Sequence, residues 1–386
     1  MLSWLDDFIS LVKKLYPKEE HYPLHRPLFD ESEKKYLINC VDSGYVSSVG
    51  QDVTAFEKDL AQFTGSGYAV AVTNGTVGLH LSLVSLGIGA GDMVLIPNLT
   101  FIATANSVSH AKATVGLIDI NPETLGLCPE ALESFLLHQC REEQGKMIEK
   151  KTGAVVKAVI VMHCFGLSAQ TQQILEVCEK YRLILIEDGA ESLGSFDVQG
   201  RHTGSVGRVG MISFNGNKII TTGGGGMLLT QDEQLANRLK HLSTTGKKPH
   251  PYFFDHDEVA YNYRMPNLNA ALGRAQFLKL NLFLEKKRHV AKIYQDFFIN
   301  HGVHFFNEPK GTRSNFWLNT IKLSNQAERD QFLELTNKKN IFTRAAWNLM
   351  SQTKMYTHCS RHDLAISEEM APCLVNLPSS VPLEES

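Results

Sequence analysis

The sequence predicts an α/β fold, with a large α/β/α domain on a mainly parallel sheet and a smaller α+β domain at the C-terminal end. Three observations carry that prediction. Between about Gln51 and Thr230, short apolar runs without polar alternation are separated by segments of helical period, the pattern of a parallel sheet covered on both faces. Beyond about Tyr263 this alternation stops. A chain of 386 residues is also long enough for one large core plus a second, smaller unit.

The elements follow in order. In "DVTAFEKDLAQF", Phe56, Leu60 and Phe63 share one helical face. "YAVAVTNG" is a short buried strand ending at Asn74-Gly75, and "TVGLHLSLVSLG" after it is helical. The strand "DMVLIPN", the helix "FIATANSVSHA", the strand "TVGLIDI" and a helix near Pro129 to Cys140 come next. The strand "KAVIVMH", the helix "TQQILEVCEKY" and the strand "LILIED" continue the series. In the second unit one long helix is expected through "LNAALGRAQFLKLNLFLEKKRHVAKIYQDFF", then a strand in "FWLNTIKLS", a helix in "QAERDQFLELTNKK" and a strand in "IFTRAAW". The connecting region "KKPHPYFFDHDEVAYNYRMP" is too apolar for a free linker. The expected division is an N-terminal helix and arm over 1–29, a large domain over 30–265 and a small domain over 266–386.

Composition narrows the partners. A net charge of -3, with charged residues at 20% and spread along the chain, leaves no basic stripe for nucleic acid or an anionic membrane. A bound phosphate must therefore be held by local amides and a few side chains. The seven cysteines are scattered and show no C-x-x-C pair, which favours reduced thiols and a cytoplasmic location. Asp6, Asp7, Lys13 and Lys14 interrupt the apolar spacing of the first helix, and no segment approaches the roughly 20 apolar residues that cross a bilayer.

In an open α/β sheet, ligands sit beyond the carboxyl ends of the strands, so the residues ending strands are the ones that can carry chemistry. "TNGTVG" ends a strand and opens a helix, which makes the amides of Gly75 and Thr76 a phosphate cradle or an ordinary strand-to-helix turn. "LIEDGAE" puts acids at a strand end, where Asp188 suits a cationic ring nitrogen, a metal or a plain helix cap. Metal is the weakest of these, because no ligand cluster lies near and His21 and His25 sit in a polar arm. "SFNGNKIITTGGGGMLLT" places Lys218 between a strand and four glycines, and a lysine partly withdrawn from water is a nucleophile toward aldehydes. An amine for a Schiff base, amides for a phosphate and a carboxylate for a pyridinium are together the demands of pyridoxal phosphate. Phe101, at another strand end, suits a stacking role or the core, and His163 a structural one. The motifs G-x-G-x-x-G, G-x-x-x-x-G-K-[ST] and G-x-S-x-G are missing or wrongly placed, which excludes the common dinucleotide, P-loop and serine-hydrolase readings.

The set "TNGT", "LTFIATAN", "IEDGAES", "SFNGNKIITTGGGGM" and "YNYRMPNLNAALG" resembles the sugar-nucleotide aminotransferases of DegT/DnrJ/StrS type, over about Pro23 to Pro382. The resemblance implies a fold-type I, aspartate aminotransferase-like enzyme using pyridoxal 5'-phosphate, with pyridoxamine 5'-phosphate as its other form. Lys218 would be the internal aldimine lysine and Asp188 the partner of the pyridinium nitrogen. Glu191 would lie near the phenolic oxygen, Gly75, Thr76 and Ser213 would bind the phosphate, and Phe101 would stack on the ring. Asn262 would reach the phosphate of a neighbouring subunit, making the active unit a homodimer with shared sites. Asn215, Gly224 and Glu191 depart from the commonest pattern of His, Glu and Gln. Together with "GYVSSVGQDVTAFE" and "NFWLNT", they look most like the subgroup that aminates C4 of UDP-linked 4-keto-6-deoxy-N-acetylhexosamines on the routes to bacillosamine and legionaminic acid, with glutamate as donor. A GDP- or TDP-linked keto sugar is the alternative, and a non-catalytic binding or regulatory protein a more distant one. Lys247, Lys248 and Arg344 are the basic candidates for the diphosphate, each also readable as a solvated surface charge.

Overall fold

The computed structural model describes residues 2–383; Met1 and residues 384–386, the outer ends of the first and last expected segments, lie outside the described residues. Helices α1 (Leu5–Leu15), α2 (Glu31–Asp42) and α3 (Gln51–Thr64) precede the alternating region. That region runs β1 (Tyr68–Val72), α4 (Gly75–Ser85), β2 (Asp92–Pro97), α5 (Ile102–His110), β3 (Thr114–Ile118) and α6 (Pro129–Gln139). A hairpin of β4 (Cys140–Glu143) and β5 (Lys146–Glu149) leads into β6 (Val155–Met162), α7 (Thr171–Tyr181), β7 (Ile184–Asp188), β8 (Val209–Ser213), β9 (Gly226–Thr230) and α8 (Glu233–Ser243). The remainder is α9 (Asn267–Phe277), α10 (Leu280–Asn300), β10 (His304–Phe305), β11 (Asn319–Lys322), α11 (Gln326–Lys338), β12 (Arg344–Ala345), β13 (Ser360–Arg361), α12 (Ala365–Met370) and β14 (Leu374–Leu377).

The large sheet has the spatial order β1-β9-β8-β7-β6-β2-β3-β13, with the β4–β5 hairpin joined to β6. From β8 across to β13 the neighbours are parallel, and β9 alone runs backwards between β8 and β1. Successive strand residues point to opposite faces and feed different cores. Val94 and Ile186 pack with Leu79, Val108 and Leu239 on one face, while Leu95 and Leu185 pack with Phe135 and Ile174 on the other. Register aligns the strand ends that matter: Met162, Asp188 and Met211 lie in one row, and Ser213, Gly226 and Val72 in another.

A second sheet, β10-β11-β14-β12, is antiparallel throughout. Its core takes in α1, whose Phe8 meets Phe332 at 5.3 Å and Tyr294 at 6.1 Å between ring centroids. The first helix thus packs against the end of its own chain. The third expected segment reaches back into the large sheet, because β13 pairs with β3.

The single long helix expected after Pro266 is two helices. Lys279, at φ -102 and ψ -1, is the cap of the second helix, and its amine turns back to Glu33 and, at 3.1 Å, to Asp30 of the α2 capping box. Helical periodicity continues across the break, so pattern alone hides it. The strands expected in "FWLNTIKLS" and "IFTRAAW" shrink to four and two residues. Phe316 has φ +46, and Asn315 is committed to the carbonyls of Glu191 and Leu193 at 2.9 Å each, which pulls this stretch out of the ladder and toward the large domain. The β4–β5 hairpin has no apolar run to announce it; its turn uses Gln144 and Gly145, both at positive φ.

Candidate active site

The carboxyl ends of β1, β2, β6, β7 and β8 open into one cleft of about 640 Å³, closed on its far side by residues of the small sheet. The cleft begins at the N-terminus of α4. There the Asn74 side chain accepts the Val77 amide at 3.0 Å, and Gly75 and Thr76, whose first-turn amides have no partner within a helix, line the cleft. A Cβ on Gly75 would stand 2.9 Å from Met211 Sδ, so glycine lets this turn lie against β8, beside Ser213, without moving the Met211 side chain.

Asp188, buried at the end of β7, accepts the Thr104 hydroxyl at 2.7 Å and the Ala190 amide at 3.2 Å. Burial raises its pKa, against the two hydrogen bonds and the charge of Lys218. A cation placed on this carboxylate from the cleft would offset its desolvation.

Lys218 stands on the loop that turns β8 back into β9. Its Nζ lies 3.4 Å from Glu191 Oε1 and 4.0 Å from the centre of the Trp317 ring, whose Nε1 donates to the Asn217 carbonyl at 2.7 Å. Of the four glycines that follow, Gly223 has φ +79, and a Cβ on Gly226 would press on the Asn74 backbone at 3.0 Å. A Cβ on Gly224 would make only ordinary contact, 3.9 Å from the Thr73 carbonyl, so the fold does not demand glycine there. Glu191 is buried and accepts the Phe165 amide at 2.9 Å. Burial first, and then the charge of Asp188, push its carboxyl up to about 7 in spite of Lys218.

Phe101 is half exposed on the cleft wall, edge-on to Trp347 at 6.1 Å, and so is not a core residue. Arg344 lines the same cleft from the small sheet. Lys247, over the Phe254 ring at 4.0 Å, and Lys248, paired with Asp255 at 2.9 Å, lie outside the cleft. Asn262 is exposed, bridged to Thr244 through the backbone, and absent from the cleft of its own chain. His163 is buried and structural: Nδ1 accepts the Ala169 amide at 3.2 Å, so Nε2 donates to Glu187 at 3.0 Å. Sequence reasoning gave no role to Thr104, Phe165, Trp317 or Trp347, none of which ends a long strand. The quoted "NFWLNT" was the one signal for Trp317.

The family model for DegT/DnrJ/EryC1/StrS aminotransferases matches residues 27–386. The chain belongs to this family. It is 35% identical to the GDP-perosamine synthase of Caulobacter vibrioides, over 93% of each chain. It is 34% identical to the GDP-perosamine synthase of Vibrio cholerae, over 92% of this chain and 93% of that one. Among solved structures, a family aminotransferase from Brucella abortus superposes with a TM-score of 0.83 at 25% identity, over 100% of this chain and 95% of that one.

This DegT-family chain is a pyridoxal-phosphate-dependent sugar aminotransferase of fold type I. Its cleft fits the cofactor. An open helix N-terminus suits the phosphate, a buried carboxylate bonded only by neutral donors suits the ring nitrogen, and an amine at the cleft floor suits the aldehyde. Among the described residues no helix is long and apolar enough to cross a membrane.

Proposed function

We propose that the chain transfers an amino group from glutamate to C4 of a GDP-linked 4-keto-6-deoxy sugar. The observation that carries the nucleotide is the set of relatives named GDP-perosamine synthase, each matched over more than nine-tenths of its length. It favours the GDP sugar over the UDP-linked N-acetylhexosamine suggested by Asn215, Gly224 and Glu191.

Lys218 would carry the cofactor, Asp188 would hold its ring nitrogen protonated, and Gly75, Thr76 and Ser213 would hold its phosphate. Phe101 would cover a ring face, and Glu191 would face the ring oxygen. When bound, pyridoxal phosphate supplies an electron sink for the carbanion at the donor's Cα. The Lys218 amine would remove the proton from that carbon and would return one to C4 of the sugar in the second half of the cycle. Trp317 shields the amine from bulk water, and Arg344 is the cation available to a diphosphate. A homodimer would complete the site with Asn262 of a second copy; the exposed apolar residues Ile38, Val41, Tyr45 and Val49 support such a contact.

The test joins a covalent readout to a substrate panel. With added pyridoxal phosphate and borohydride, the native chain should carry the reduced cofactor on Lys218, read by mass spectrometry, and Lys218→Ala should carry none and lose turnover by roughly 10²–10⁴-fold or more. GDP-, UDP- and TDP-linked 4-keto-6-deoxy sugars are then compared by kcat/KM. Preference for a UDP sugar would reverse the assignment of the nucleotide, and an unlabelled Lys218 would sink the reading of the site.

A further inference from the structure

Behind the cleft, α10 carries a lysine in an unusual setting. Lys287 is 1% exposed, and among the described residues no carboxylate pairs with it. Its Nζ donates instead to two main-chain carbonyls, that of Trp317 at 3.1 Å and that of Ser379. Three separate segments meet there, since the Ser379 amide donates to the Leu24 carbonyl at 2.7 Å and the Ser379 hydroxyl accepts the Asn319 amide at 2.9 Å. Burying an amine is costly, and its burial holds the Lys287 pKa well below the ordinary lysine value. An apolar residue would spare that cost but leave two buried carbonyls without donors.

The Trp317 carbonyl belongs to the residue whose indole covers Lys218. A continuous path therefore runs from Lys287 Nζ to the Trp317 main chain, and from the indole to the Asn217 carbonyl and the Lys218 amine. His25 packs into the same junction. Burial first, and then the charges of Lys287 and Lys218, keep its imidazole pKa well below the ordinary value, so it fills the space as a neutral ring.

We propose that Lys287 is a positioning residue for Lys218, acting through the Trp317 segment that it anchors. The inference rests on Lys218 being the cofactor-bearing lysine proposed above. Loss of the Lys287 bonds leaves the Trp317 carbonyl without a donor and the segment held through its amide on Asn315 Oδ1 at 2.8 Å, so the indole shifts from the amine and Lys218 samples geometries unsuited to proton transfer.

The experiment compares Lys287→Met, Trp317→Leu and the double variant with the native full-length chain by two readouts. In the holoenzyme, the single-turnover conversion of the cofactor by glutamate is followed by absorbance. Each single variant should slow it by about tenfold at saturating glutamate, with the apparent glutamate Kd changed less than about twofold, and the double variant should be no slower than the slower single. In the cofactor-free chain, acetic anhydride should acylate Lys218 several-fold faster in both single variants, read on the Lys218 peptide. Multiplicative effects in the double variant, or a Trp317→Leu chain with native rate and native acylation, would overturn the proposal. If Lys287→Met does not fold, Lys287→Gln, which keeps a donor, should fold and slow the step by less than Trp317→Leu does, and Trp317→Leu alone still decides. If Lys218 of the native chain takes up no cofactor, the reading of the site fails, while acylation of the cofactor-free chain still reports on Lys287.

Discussion

The two walls of the cleft are built differently. On the large-sheet wall, functional groups are buried and held by close contacts between neighbouring strand ends: Asp188 by Thr104 and Ala190, Glu191 by the Phe165 amide, and Gly75 packed against Met211. On the small-sheet wall, Arg344 and Trp347 stand in or near solvent, on a two-residue strand and the loop after it. Rigid, desolvated groups suit a cofactor that stays in place, and a looser, partly wet wall suits two substrates that take turns. Trp317 belongs to the small-sheet side in chain position but to the other wall in behaviour, since it is 4% exposed and tied to the lysine loop.

If this contrast holds, substitutions on the large-sheet wall should damage chemistry and those on the small-sheet wall should damage selection. The largest effect is expected for Asp188→Asn, which removes the charge that would keep the ring nitrogen protonated. The single-turnover rate with glutamate should fall by about 10²–10³-fold, with folding retained. A rate within threefold of native would break the contrast at its strongest point.

The next effect is on stability. The Glu191 carboxyl is pushed up to about 7 in the folded chain, from 4.5, so between those values the folded state binds more protons than the unfolded one and stability falls as pH rises. Glu191→Gln removes this linkage. Its stability relative to the native cofactor-free chain should improve by about 3 kcal/mol between pH 4.5 and pH 7, measured by urea unfolding. A difference that does not change with pH would mean that Glu191 titrates normally.

The smallest effect is expected on the other wall. Arg344→Gln should raise KM for the sugar nucleotide by about tenfold, one charged contact, while leaving the cofactor absorbance and the kcat at saturation unchanged. A changed cofactor spectrum in this variant would show that the two walls do not divide the labour as described.

The α/β class, most helices and strands of the large domain, and the positions of Gly75, Thr76, Asp188, Ser213 and Lys218 were legible in the sequence. The reason is local. A parallel strand buried on both faces has to be an apolar run, and the residue that follows such a run sits at the carboxyl edge where ligands bind. The break at Lys279, the short β11 and β12, the β4–β5 hairpin and the roles of Thr104, Trp317 and Lys287 were decided only in the tertiary structure. Apart from the hairpin, these depend on partners far along the chain: Lys279 on Asp30 and Glu33, Asn315 on the Glu191 carbonyl, Thr104 on Asp188, Lys287 on Ser379. Apolar periodicity records which face of an element is buried, but it carries no information about which distant carbonyl or carboxylate a polar group will meet there.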